Sequence, residues 1–207
     1  MFCFITALKS KAVSKDWARV CELFESALRS ANQQTDPDFR IIVVCHEKPD
    51  VRGTYDDRVQ FVSVDFPPPP PTEMKLLMLD KWKKLAVGVR EAERFKPDFI
   101  MFQDADDLVS RRIVAHAHAN RSANGFVIRR GYEWVYGKSW ITLQNELHCG
   151  TDSIVNTRLF EYPKDLAQET VERCLILKYG HTQIEQECAR RGAPLLLLPF
   201  RGAIYTV

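Results

Sequence analysis

The 207-residue sequence has no C-x-x-C motif and no paired Cys/His spacing of the kind that builds a zinc site. Its six cysteines, Cys3, Cys21, Cys45, Cys149, Cys174 and Cys188, lie far apart, several inside apolar runs where a thiol acts as a small hydrophobe. That usage predicts a reducing, cytoplasmic compartment. An excess of one charge is also lacking. With 29 Lys and Arg against 27 Asp and Glu, the formal net charge is +2, so nucleic acid is not an expected partner and an anionic membrane is not the main one. No transmembrane segment is expected either. The opening MFCFITALKSK sets its apolar run before its positive charges and is too short for a signal h-region or a span, which leaves peripheral membrane contact as the one membrane association open to the chain. Internal repeats are absent.

What is present is an alternation of strand and helix patterns. The length suits a single domain over 1–207 with a sizeable core. FCFITAL (2–8) is a strand, and Trp17, Val20, Cys21, Phe24, Ala27 and Leu28 recur at helical spacing over about 14–32. FRIIVVC (39–45) is continuously apolar and β-branched, as in a strand buried on both faces, and VQFVSVDF (59–66) supplies a third. Five prolines, Pro67 to Pro71, then leave the sheet as an extended segment, read as a stiff loop with a linker or partner ligand as the alternative. A helix follows over 73–95, closed by Pro97, and PDFIMFQ is the next strand. The fold class is α/β, with an open, mostly parallel sheet whose ligands gather beyond the carboxyl ends of the strands. Beyond residue 107 the texture changes: two aromatic-rich strands with a Gly137-Lys138 turn, helical stretches over about 164–178 and 181–191, and short strands in PLLLLPF and AIYTV.

FIMFQDADD (99–107) places three carboxylates at the mouth of a buried strand. Like charges this close raise one another's pKa, and a divalent cation is the simplest compensation. In an extended segment Asp104 and Asp106 share one face and Asp107 points away, free to cap a helix starting near Ser110. An EF-hand is excluded, because Leu108, Val109 and Ser110 occupy the later ligand positions. A solvated strand end with a helix cap is the reading without chemistry.

This context resembles the family 2-like glycosyltransferases of the GT-A fold, in which a strand ends in a D-x-D or D-x-D-D motif about a hundred residues into the chain. The likeness runs from the N-terminal β-α-β through FIMFQDADD to HTQIEQECARRGAPLLLLPFRGAIY. It implies a nucleotide-sugar-binding half (1–107), an acceptor-binding half (108–207), and Mn²⁺ or Mg²⁺ bridging the diphosphate of the donor. Asp106 would be the direct metal ligand, with Asp104 on the ribose or on the metal through water. Thr6 and Ala7 lie where such enzymes place the base, and Cys45-His46-Glu47 replaces their usual acidic residue, with Glu47 left to accept hydrogen bonds. Lys81 and Lys84 occupy the region of a basic residue near the nucleotide, or are plain helix-surface lysines. The family's E-D pair, whose Asp is the base, is replaced by Gly180-His181. His181 is then a general base, a metal ligand or a helix-terminal polar residue, with Asp152 and Glu185 the next candidates for the base.

His116 and His118, two apart on a helix, are expected at the surface, and His148-Cys149 in an acceptor loop, a Cys/His nucleophile pair being the alternative. Many relatives continue past the position of Val207 with a helical segment that covers the site or docks on a membrane, which leaves open whether a C-terminal segment is missing here. The implied activity is metal-dependent transfer of a sugar, hexosyltransferase-like, from a nucleotide diphosphate donor to a hydroxyl of a sugar or glycolipid acceptor. The alternatives are a non-catalytic nucleotide-sugar-binding module of the same fold, or a Mg²⁺-dependent phosphohydrolase built on Asp104 and Asp106.

Overall fold

The computed structural model describes residues 1–207 apart from the side chain of Thr182. Its first half follows the sequence pattern: β1 (Phe2–Ala7), α1 (Trp17–Asn32), β2 (Phe39–Cys45), β3 (Val59–Ser63), α2 (Met74–Ala92) and β4 (Phe99–Phe102). Four parallel strands result, in the spatial order β4-β1-β2-β3. Their unbroken apolar runs are explained by the two layers that cover them. Phe2, Phe4, Phe39, Ile41, Val43, Phe99 and Met101 face one way, onto Phe24, Leu28 and Ala31 of α1. Cys3, Ile5, Ile42, Val44, Ile100 and Phe102 face the other, onto Leu85, Val89 and Ala92 of α2. At about 25 cal/mol per Å² of apolar surface removed from water, these two layers are the main stabilising term of the sheet.

The second half departs further from its pattern. It consists of β5 (Leu108–Val109), α3 (Ile113–Ala119), β6 (Gly125–Val127), β7 (Gly131–Trp134), β8 (Thr142–Gln144), β9 (Ser153–Asn156), α4 (Gln168–Arg173), α5 (Leu175–Arg190), β10 (Leu196–Leu197) and β11 (Ala203–Thr206). The expected aromatic hairpin is β7 with β8, whereas β6 leaves it to join the main sheet. There β9, a strand its polar flanks concealed, runs antiparallel between β4 and β6 and extends the sheet to seven strands. A smaller sheet, β5-β11-β7-β8, follows the end of β4 and is tied to it where the Thr206 amide of β11 meets Asp107, and among the described residues no helix is long and apolar enough to cross a membrane.

Three local expectations are corrected. The helix after the aspartates starts at Ile113 with Arg112 at its cap, so Asp107 caps nothing; it leads into β5 instead. His116 and His118 are half-buried rather than surface residues, His116 against Phe126 and Phe200 and His118 bonded to Asp36 at 2.8 Å. The helix expected over about 164–178 starts only at Gln168 and is divided at Cys174, whereas the break before 181 falls where the pattern put it, at Gly180, whose φ of 52° and ψ of −167° suit glycine alone. Pro67 to Pro71 do leave the sheet as an exposed loop without strand or helix.

Candidate active site

Chain geometry at the end of β4 sorts the three aspartates. The backbone turns over Ala105 and Asp106 rather than staying extended, closed by the Asp107 amide donating to the Asp104 carbonyl at 3.2 Å. Asp104 and Asp106 remain half-buried at the crevice, while Asp107 is fully buried beneath them. Asp107 accepts from the Thr151 hydroxyl at 2.6 Å and from the Thr206 amide at 3.0 Å. Burial nevertheless pushes its carboxyl up to about 7, against the pull of those two hydrogen bonds. Asp106 is also raised, first by burial and then by the charge of Asp104.

Asp104 is fixed from three sides. Its amide donates to Thr151 Oγ1 at 2.9 Å, and the bare Cα of Gly150 lies so close that a Cβ there would stand 2.3 Å from Asp104 Oδ2. Its Oδ1 accepts from the Lys81 ammonium at 2.6 Å. Lys81 reaches over from α2, and the neighbouring Trp82 carries the break in α5: a Cβ on Gly180 would lie 2.6 Å from Trp82 Cη2. That contact sets His181 on the same crevice. Partial burial lowers the imidazole pKa, Asp104 raises it and Lys81 lowers it.

The remaining candidates are placed as follows. Lys84 is buried, donating to the Leu8 carbonyl at 2.8 Å and to Asp80 at 2.7 Å, so its ammonium ties α2 to the end of β1. Thr6 is buried within β1, and Ala7 lines a cavity of about 240 Å³ between the end of β1 and Met74, Leu77 and Met78 of α2. Glu47 accepts from the Ser10 hydroxyl at 3.1 Å and from the Lys11 amide, holding the loop after β1. Asp152 is buried beside Thr151, its carboxyl pushed up to about 7 by burial, with the Ser153 hydroxyl 2.6 Å away and Arg129 drawing it down. Glu185 is bound to Arg129. Cys149 is buried and its thiol is pushed far up, first by burial and then by Asp107, which removes the thiolate a nucleophile needs.

Sequence reasoning missed Thr151, Gly150 and Trp82. All three act on residues remote in the chain, and nothing local marks them. The break at Gly180 did carry a signal, a glycine inside a helical pattern.

Among the described residues no group of three or more His, Cys, Asp or Glu side chains could by itself hold a metal ion. Asp104 and Asp106 still fit a hard cation of the Mg²⁺ or Mn²⁺ type, which is bound through one or two carboxylates with substrate phosphates supplying the rest. A cation already stands on Asp104, the Lys81 ammonium.

No protein-family profile matches the chain, and no curated protein does. Solved structures do. The crystal structure of S. aureus TarS is 14% identical over 100% of this chain and 36% of its own, with a TM-score of 0.54. TarS 1-349 in complex with UDP is 14% identical over 100% of this chain and 60% of its own, TM-score 0.55, and the complex with UDP-GlcNAc is 13% identical over 100% and 58%, TM-score 0.52. The chain thus spans between about a third and three fifths of the length of these TarS structures. The likeness establishes the fold, which is of the GT-A glycosyltransferase type.

Proposed function

We propose that the chain transfers a hexosyl group from a nucleoside diphosphate sugar to a hydroxyl of a sugar or glycolipid acceptor, with Mn²⁺ or Mg²⁺ at Asp106 and Asp104. The observation that carries this reading is the turn at the end of β4, which leaves two carboxylates half-buried beside Lys81, with His181 within reach of the Asp104 charge. Ligands of open α/β sheets collect at such strand ends. TarS, which shares the fold, has been crystallised with UDP and with UDP-GlcNAc, so a uridine donor is the first to test.

When bound, the cation would supply charge neutralisation for the departing diphosphate. The chain's own groups divide the remaining work. Lys81 offers an ammonium to phosphate oxygens. The acceptor oxygen attacks the anomeric carbon, the bond to the diphosphate oxygen breaks, and that oxygen keeps the electron pair. His181 takes the acceptor proton; its lowered pKa keeps the imidazole neutral, and therefore basic, at neutral pH.

Thermal shift with UDP, in Mn²⁺ and in chelator, tests the reading. At a hundredfold excess over Kd, binding adds about 2.7 kcal/mol, roughly 5–10 °C for a chain of this size. The expected result is a shift in Mn²⁺ that disappears in chelator and in Asp106→Asn, a variant that should fold normally because burial already disfavours that charge. Equal shifts with and without metal would remove the cation from the scheme. No shift with any nucleoside diphosphate, together with phosphate release from simple phosphomonoesters, would replace the transferase by a hydrolase.

A further inference from the structure

The Asp104 carboxylate is held on one oxygen and closely neighboured on the other. Oδ1 is bound to Lys81, the amide is bound to the Thr151 hydroxyl, and Oδ2 fills the space that a β-carbon on residue 150 would need. Lys81 is the mobile member of the group, a half-exposed ammonium on a four-carbon stem anchored in α2. A divalent cation approaching Asp104 therefore meets a positive charge 2.6 Å from the oxygen it needs. Two cations at such spacing repel strongly in a half-buried site. The ammonium needs another anion before it can leave, and a diphosphate arriving in the crevice is one.

From this we infer that Lys81 is an exchange arm: it occupies Asp104 in the free protein, transfers to the donor diphosphate on binding, and by leaving opens Asp104 to the metal. Metal and donor then bind cooperatively, beyond their direct attraction, because each displaces the same ammonium from the other's path. The inference rests on the donor reading above and adds to it an order of events and a residue that enforces it. Among the described residues no third His, Cys, Asp or Glu joins the pair, which agrees with it, since a cation completed by substrate phosphates gains little by arriving first.

Reciprocity of linked binding gives the test. Mn²⁺ binding is followed by electron paramagnetic resonance and by calorimetry, alone and with saturating UDP, for the parent, Lys81→Met and Lys81→Gln; the two neutral variants guard against a folding defect in either. Without UDP, the variants should bind Mn²⁺ at least about 5-fold more tightly than the parent. UDP should enhance Mn²⁺ binding at least about 5-fold less in the variants than in the parent, the lower end of usual coupling. Lys81→Arg, which keeps the charge, should behave as the parent. Variants that bind UDP with Mn²⁺ but take up Mn²⁺ alone no more tightly than the parent overturn the exchange arm and leave the donor reading standing. Failure of the parent to bind UDP with Mn²⁺ at all overturns both.

Discussion

Asp104, Asp106 and Asp107 are adjacent in sequence and unlike in environment. Asp107 is a buried fastening on Thr151 and on the backbone of Thr206, whereas Asp104 and Asp106 face the crevice. The D-x-D spacing after a buried strand made the outer pair legible. The partners that fasten Asp107 lie 44 and 99 residues away, beyond the reach of any local pattern. His181 was legible only as a substitution within a resemblance; its placement depends on Trp82, far off in the chain. If it is the base, His181→Ala should lower turnover by about 10² to 10⁴ and leave UDP affinity nearly unchanged, because the proton moves only on the way to the transition state. The rate of UDP release at saturating donor measures this. Unchanged turnover would pass the role to Asp152, whose pKa of about 7 also suits a base at neutral pH.

At the scale of elements, the join between α2 and α5 decides where His181 meets Asp104 and Lys81. Gly180 is the hinge point, with a backbone no β-carbon tolerates and Trp82 directly beneath it. Gly180→Ala should cost about 1–3 kcal/mol from backbone strain, with further cost from the Trp82 clash. A chain of this size should lose several degrees in Tm. Turnover should fall more than donor affinity, because His181 moves while Asp104 and Asp106 stay. An unshifted melting curve would show that the break bears no strain. The helices on either side of Gly180 were readable from periodicity, as were β1, β2 and β4 from their unbroken apolar runs. The four-residue β9 was not, since HCGTD before it reads as loop and its antiparallel place between β4 and β6 is fixed by tertiary packing alone.

For the molecule as a whole, stability should depend on pH in a direction set by the crevice. Asp107 and Asp152 both have folded-state pKa values of about 7, above their unfolded values, owing to burial. Between about pH 4 and pH 7 the folded state therefore holds protons that the unfolded state has released, and stability falls as pH rises through that window. At about 1.4 kcal/mol for each tenfold change in proton affinity, each carboxyl withdraws up to a few kcal/mol. Asp36 and Asp98, held low by hydrogen bonds and by nearby positive charge, act oppositely as pH falls below about 4, and His116 and His181, lowered by burial, act oppositely as pH falls below about 6.5, with shifts smaller than those of the two carboxyls. Urea denaturation across pH 4.5 to 7.5 should give a falling midpoint, and a double variant Asp107→Asn, Asp152→Asn a flatter one. A midpoint that rises with pH would contradict the buried placement of these carboxyls.

The fastening of Asp107 to β11 also bears on how the protein comes into being. Strands β1 to β4 and helices α1 and α2 can assemble from the first 102 residues, with mostly near-neighbour pairings that close quickly. The turn that carries Asp104 and Asp106 is locked only when Thr206 docks, after a loop of 99 residues has closed. A nascent chain would therefore form the half-sheet before the carboxylate-bearing turn is fastened, and under the proposed function it would gain nucleotide binding only once residue 206 had emerged.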